Sequence, residues 1–206
     1  MSLRRERIDE AAALGTATLY EASGLDIAMD TAIRPVWRGA ALAGPAYTVR
    51  CHPADNLAIH HAMERIGAGQ VLVVDCAGVL AGYWGDVLAT AAQARGVGGL
   101  VIDGGVRDVD QLEAMRFPVF SRGISVRRTG KHMAGQIDTS LEIAGVLVCP
   151  GDLVIADADG VVALPADALG RTLEAARARV AKETAIKANL VAGRTTRDLF
   201  ALPQRR

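Results

Sequence analysis

Two short stretches of this chain carry side chains suited to chemistry. Gly85-Asp86-Val87-Leu88 opens an expected helix. Arg107-Asp108 follows an expected buried strand and leads into another helix. A helix N-terminus presents unpaired N–H groups and a partial positive charge, which suits a carboxylate or a phosphate. Arginine stays charged and grips carboxylates with a planar fork. Open α/β sheets place their ligands at the C-terminal ends of strands, where Arg107 and Asp108 fall. These residues therefore stand out as a candidate anion site. The plainer alternative is that Asp86 and Asp108 are only helix caps and Arg107 a surface ion-pair partner, since caps are common.

Other chemistries find less support. Only three lysines occur, Lys131, Lys182 and Lys187, so an enzyme working through an imine must use one of them. The glycines at 67, 69, 96 and 98 do not complete G-x-G-x-x-G, because Leu72 and Val101 stand where the third glycine belongs. Val71 to Asp75 followed by Gly78 is a faint cofactor-strand pattern of a methyltransferase, with an incomplete glycine cluster. There is no G-x-S-x-G elbow. His60 and His61 are neighbours that point apart on a helix, and no H-x-x-x-H pair exists for zinc. His52 and His132 read as loop or surface residues, with Lys131-His132 a lesser candidate for a polar substrate wall. Tyr83 and Trp84 read as packing residues that could also wall a pocket.

The elements that must position these residues follow from the pattern of apolar runs and breakers. The expected order is a helix over Arg4–Glu21, a strand-rich stretch over Gly39–Cys51 broken at Gly44-Pro45, and a helix from Asp55 to Ile66. A buried strand at Val71–Val74, a helix over Asp86–Arg95 with Leu88, Ala91 and Ala92 on one face, and a buried strand at Leu100–Ile102 ending in a turn at Asp103-Gly104-Gly105 come next. A short helix at Asp110–Met115 and a strand at Pro118–Ser121 complete this part. The alternation implies parallel pairing. From Ile137 to Leu164 turn residues separate short β-rich runs, which implies antiparallel hairpins. Asp167–Leu190 has strong helix formers.

The chain has 206 residues, half of them apolar, with 23 basic and 23 acidic side chains and zero formal net charge. That composition excludes wholesale disorder, and length without a linker or repeat predicts one domain over 1–206 with a helical extension at about 167–200. Balanced charge and 4% aromatic content argue against nucleic acid. Three cysteines without C-x-x-C predict free thiols in a cytoplasmic protein. The N-terminal residues lack the apolar core of a signal peptide, and no apolar run approaches about 18 residues, so no membrane span is expected.

Gly82-Tyr-Trp-Gly-Asp-Val-Leu-Ala89 and Gly99-Leu-Val-Ile-Asp-Gly-Gly-Val-Arg-Asp108 resemble the family that contains the regulator of ribonuclease activity A and the divalent-metal 4-hydroxy-4-methyl-2-oxoglutarate aldolases. Gly44-Pro-Ala-Tyr-Thr-Val-Arg50, Asp55-Asn-Leu57, Phe117-Pro-Val-Phe120 and Pro150-Gly-Asp-Leu-Val-Ile-Ala-Asp-Ala-Asp-Gly-Val162 resemble family segments in the same order, so the likeness covers most of the chain. Members have also been labelled menaquinone methyltransferases, which the incomplete glycine cluster speaks against.

The resemblance implies an α/β fold, a layered β/β/α sandwich of the swivelling-domain kind with mixed parallel and antiparallel strands and a C-terminal helix. It implies a homotrimer, sometimes doubled to a hexamer, with sites at subunit interfaces and a small 2-oxo acid as substrate. By its analogy Asp108 would hold Mg²⁺ or Mn²⁺, Arg107 would grip the pyruvyl oxygens, Asp86 would position a water, and the backbone of Gly85, Asp86, Val87 and Leu88 would hold the carboxylate. The implied reaction is class II pyruvate aldol cleavage with oxaloacetate decarboxylation. The alternative within the same family is a non-catalytic regulator that binds a ribonuclease. That regulator is shorter, whereas this chain continues through Arg177–Glu183 to Phe200. Family aldolases have such a helix, whose glutamate reaches a neighbouring subunit's metal site. Glu183 is the matching candidate, against the alternative of a solvated helix-face charge.

Overall fold

The computed structural model describes residues 3–200 and 202. Arg5–Leu14 (α1) and Thr16–Ser23 (α2) replace the single helix expected at the start, because Gly15 at φ 80° parts them. The N–H and hydroxyl of Thr16 both donate to the Asp157 carboxylate, at 2.8 and 2.7 Å, so an acid distant in sequence pins the start of α2. Burial pushes the Asp157 carboxyl up, but the bonds from Thr16 and from the N–H groups of Asp159 and Gly160 outweigh it and leave it lowered.

The strands are Arg34–Pro35 (β1), Leu42–Arg50 (β2), Val71–Asp75 (β3), Gly99–Val106 (β4), Val119–Ile124 (β5), Gln136–Ile137 (β6), Leu141–Ile143 (β7), Val146–Val148 (β8), Leu153–Ala156 (β9) and Val161–Leu164 (β10). Eight form one sheet in the order β1-β5-β4-β3-β2-β9-β10, with β6 beside β2; β7 and β8 form a separate hairpin. β2 to β5 pair in parallel, and β9 and β10 join antiparallel. Leu57–Met63 (α3), Asp86–Ala94 (α4) and Val109–Ala114 (α5) are the crossovers between the parallel strands. All three crossovers step the same way, so right-handed connections put these helices on one face. Val71 to Val74 are fully buried, which requires both faces of β3 to be covered. Leu141, Ile143, Val146 and Val148 of the β7–β8 hairpin belong to that same core.

A second core holds the first helices against the antiparallel end. Ile8, Ala11 and Leu19 pack with Leu153, Ile155, Val162 and Leu164, and with Leu169, Leu173 and Ala176 of the long helix Leu169–Val191 (α6). A short helix, Thr196–Phe200 (α7), follows. The layered α/β architecture, the mixed sheet and the C-terminal helix are those expected. Cys51, Cys76 and Cys149 are free thiols. No described helix is long and apolar enough to cross a membrane.

Several local expectations are corrected. Gly44-Pro45 does not break the strand: β2 runs through it and changes partner there. Leu42–Pro45 pairs with β9, and Ala46–Arg50 pairs with β3 on the other edge. Proline, which has no N–H, sits at the switch. Asp103-Gly104-Gly105 is not a turn but part of β4, which continues to Val106. The glycines admit the 76–84 loop, which crosses directly over the strand. A Cβ on Gly104 would stand 2.9 Å from Cys76 Cβ, and one on Gly105 would stand 2.5 Å from the Ala81 carbonyl oxygen. On α4 the buried residues are Leu88, Ala89 and Ala92, while Ala91 faces out. The helix expected to reach Ile66 ends at Met63.

Candidate active site

The site forms where the end of β4 meets the start of α4. Trp84 makes an isolated parallel bridge to Val106, and the Arg107 N–H donates to the Trp84 carbonyl at 2.9 Å. Trp84 itself is fully buried and stacked on Phe117, 5.8 Å between centroids, so it anchors the junction as a packing residue. The bridge delivers Gly85 and Asp86 beside Arg107 and Asp108.

Asp108 adopts a left-handed conformation, φ 60° and ψ 43°, at the N-cap of α5. That conformation costs a non-glycine residue about 1 kcal/mol, and aspartate tolerates it better than most. Its carboxylate does not cap its own helix. Oδ2 instead accepts the Asp86 N–H at 3.2 Å, so Asp108 caps the neighbouring helix α4. Gly85 makes this approach feasible, because a Cβ there would overlap Asp108 Oδ2. The cap reading of Asp108 is thus realised across elements, and it fixes the carboxylate at the mouth of a helix. Arg107 Nε lies 3.5 Å from the same oxygen; both side chains are part-exposed, so the contact adds little stability.

These groups line one cavity of about 350 Å³. Gly85 to Leu88, Arg107 and Asp108 form one wall. Asn56 at the N-cap of α3 and His60 within α3 also line the cavity, as do Gly82 and Tyr83. Arg128, Thr129 and Lys131 complete it. The last three arrive through backbone stitching: Gly82 N–H donates to the Arg127 carbonyl (2.8 Å), Gly130 N–H to the Ala54 carbonyl (2.7 Å) and Asn56 N–H to the Gly130 carbonyl (3.0 Å). Asp55 holds the corner, accepting the Leu57 N–H at 3.0 Å and the His132 N–H at 2.7 Å. Burial raises its carboxyl, but the N–H groups of Leu57, His132 and Met133 prevail and leave it lowered.

Of the sequence candidates, Gly85, Asp86, Val87, Leu88, Arg107 and Asp108 come together, and Lys131 joins them. His132 does not line the cavity; its N–H serves Asp55. Tyr83 walls the cavity, and its hydroxyl accepts the Ala54 N–H at 2.6 Å. Burial pushes that phenol up to about 12. Asn56, His60, Arg128 and Thr129 were not expected there. Asn56 and His60 carry a signal in their i, i+4 spacing, which puts them on one face of α3; Arg128 and Thr129 carry none. Glu183 is outside this cavity in its own chain. It pairs with Arg179 at 2.9 Å, and Arg179 also pairs with Glu21. Of Ala175, Ala176, Ala178 and Ala181 on α6, only Ala176 is buried.

Arg107, Arg128 and Lys131 bring three cations to a cavity that holds two carboxylates, Asp86 and Asp108, which suits an anionic ligand. Among the described residues no group of three or more His, Cys, Asp or Glu could hold a metal. That excludes an all-protein cage of those side chains there, but it fits a hard divalent ion. Such an ion keeps several waters and takes one or two carboxylates together with substrate oxygens. Asp108 Oδ1 receives no hydrogen bond among the described residues, and Asp86 stands one residue into the helix that Asp108 caps.

The family model described as RraA-like, Aldolase/RraA, matches residues 16–163. The chain belongs to this RraA-like family. A relative from Halalkalibacterium halodurans, named "Putative 4-hydroxy-4-methyl-2-oxoglutarate aldolase", is 34% identical over 169 residues, covering 80% of each protein. The crystal structure of an uncharacterized protein from Pseudomonas syringae pv. tomato superposes with a TM-score of 0.88 at 29% identity, over 98% of this chain and 95% of that one. The RNA-processing inhibitor RraA from Thermus thermophilis superposes at 0.63 with 30% identity, over 80% of this chain and 94% of that one. The chain's relatives thus include one named as an aldolase and one named as an RNA-processing inhibitor, and the matched region contains every cavity residue named above.

Proposed function

We propose that this RraA-like protein is a divalent-metal-dependent pyruvate aldolase. It cleaves 4-hydroxy-4-methyl-2-oxoglutarate or a related 4-hydroxy-2-oxo acid to pyruvate, and it decarboxylates oxaloacetate. The observation that carries the reading is the convergence of Arg107, Asp108 and the first turn of α4 on one cavity. The Asp86 N–H is already engaged by Asp108, so the first-turn N–H groups of Val87 and Leu88 are the ones that receive the substrate carboxylate. Arg107 donates to the C2 oxygen, where negative charge develops. Asp86 orients the water that takes the C4 hydroxyl proton. The C3–C4 bond then breaks, its electrons pass to the C2 oxygen as an enolate, and protonation at C3 gives pyruvate. Oxaloacetate reaches the same enolate by losing CO₂. Asp108 would hold Mg²⁺ or Mn²⁺ directly and Asp86 through water; when bound, the ion supplies Lewis-acid polarisation and a more acidic water.

Pyruvate release from both substrates is the test, with Mg²⁺ or Mn²⁺ and then with EDTA. Turnover that requires metal is expected. An imine route through Lys131 would survive EDTA and be trapped by borohydride, and either result would overturn the metal-dependent reading. The similarity to the Thermus inhibitor supports a second reading, a protein-binding regulator, which gains if no 2-oxo acid is turned over and a ribonuclease partner binds stoichiometrically.

By the resemblance to family aldolases, Glu183 completes a neighbouring subunit's site in a homotrimer or hexamer on this reading; in its own chain it pairs with Arg179 away from the cavity. Arg107→Ala subunits and Glu183→Ala subunits, each impaired alone, should regain part of the activity when mixed and reassembled. No recovery despite confirmed subunit exchange, or a monomer in sedimentation, would refute the shared site.

A further inference from the structure

The Arg107 side chain runs across two glycines. A Cβ on Gly85 would stand 3.2 Å from Arg107 Cγ, and one on Gly82 would stand 3.1 Å from Arg107 Cδ and 3.2 Å from the Arg127 carbonyl oxygen. The arginine stem therefore has the first turn of α4 at its Gly85 end and the backbone leading into Arg128 at its Gly82 end. That backbone is held on both sides of Arg128: the Arg127 carbonyl accepts the Gly82 N–H, and the Gly130 N–H donates to the Ala54 carbonyl. From this anchored segment Arg128 lines the cavity. The ion pairs among the described residues include neither Arg128 nor Lys131. Burial lowers the His60 pKa and the Lys131 charge adds to the effect, so the ammonium also acts on the cavity wall.

We propose that Arg128 forms a second anion subsite, which recognises a carboxylate at the far end of the 2-oxo acid. The proposal rests on the aldolase reading for the orientation of the substrate, and it adds a determinant of substrate class. With one carboxylate on the first turn of α4 and the C2 oxygen at Arg107, the rest of the substrate runs past Gly82 toward Arg128. The guanidinium there has no protein carboxylate to hold, and its planar fork pairs with a carboxylate through two parallel hydrogen bonds. The neighbouring Lys131 charge strengthens the attraction for a dianion. A methyl end offers neither cation anything. Arg128 thus selects dicarboxylic 2-oxo acids over monocarboxylic ones of the same length, whereas a merely solvated cation at the rim would select neither.

The probes are 2-oxoglutarate and 2-oxopentanoate, which differ only in a carboxylate or a methyl at C5. Neither is cleaved by the aldol route, because neither carries a C4 hydroxyl. Both present the same 2-oxo carboxylate to Mg²⁺ and to Arg107, so a difference in affinity reports on the far end. Dissociation constants are measured by calorimetry with Mg²⁺ for the wild type, Arg128→Met and Arg128→Lys. Arg128 is exposed, so both substitutions leave the core untouched. The wild type should prefer 2-oxoglutarate by about tenfold, and Arg128→Met should reduce the preference to about twofold or less. Arg128→Lys, which keeps the charge without the fork, should keep part of it. A wild type that binds both probes alike or binds neither, or a preference that survives intact in Arg128→Met, overturns the subsite. Pyruvate has no second carboxylate, so exchange of its C3 protons by the wild type reports separately on the aldolase reading. Exchange without a preference for 2-oxoglutarate refutes the subsite alone. A preference that Arg128→Met abolishes, in a protein that exchanges nothing, supports the subsite and refutes the enolate chemistry.

Discussion

Arg107→Ala should lower kcat/KM for pyruvate formation on the order of 10²–10³-fold, as expected for removal of one donor to a developing oxyanion. The guanidinium lines the cavity half-exposed, and its weak pairing with Asp108 at 3.5 Å leaves its donors available to a substrate. Its fold contribution is small for the same reason, so urea unfolding should change little while activity collapses. Arg107→Lys should restore only part of the rate, because an ammonium is a point charge that cannot present the planar fork. Steady-state kinetics on oxaloacetate separate the outcomes. A loss confined to KM would mean that Arg107 binds ground state and transition state alike and does not stabilise the enolate.

Gly85→Ala should abolish most activity without unfolding the protein. Gly85 is extended, φ −158°, so an alanine adopts its backbone without strain. The difficulty is steric: the new methyl overlaps Asp108 Oδ2 and stands 3.2 Å from Arg107 Cγ. Asp108 is short and can rotate away, so the fold survives, but the carboxylate leaves both the Asp86 N–H and its place in the cavity. A displacement of this size costs about 10²-fold in rate. Mn²⁺ affinity should fall with it, about 10- to 100-fold. Paired measurement of Tm and kcat/KM checks this: a variant with a native Tm and native activity would show that the Asp108 position is not critical.

The parts of the site that could be read in the sequence are those whose signals are local. Asp86 and Arg107-Asp108 sit at junctions between apolar runs and helices, and glycines flag both junctions. Val71–Val74 and Leu100–Ile102 are legible as strands because full burial on both faces demands unbroken apolar residues. Gly104 and Gly105 misled, because glycine marks turns and close crossings alike, and only the 76–84 loop overhead distinguishes the two. Gly44-Pro45 misled in the same way, since a change of strand partner leaves no local trace. Arg128 and Thr129 reach the cavity through hydrogen bonds between residues more than 40 apart, such as Gly82 to Arg127, which no spacing rule encodes. Asn56 and His60 had a readable spacing, but that their face lines the cavity depends on the packing of distant segments around it.

On the proposed function, the Arg107–Asp108 cavity forms and holds a pyruvate enolate. Exchange of the C3 protons of pyruvate for deuterium, followed by proton NMR in D₂O, tests it without a choice of aldol substrate. Exchange catalysed with Mg²⁺ or Mn²⁺, stopped by EDTA and lost in Arg107→Ala, is the predicted result. No exchange by the metal-supplied wild type, or exchange that continues undiminished in EDTA, would rule out a metal-dependent enolate at this cavity.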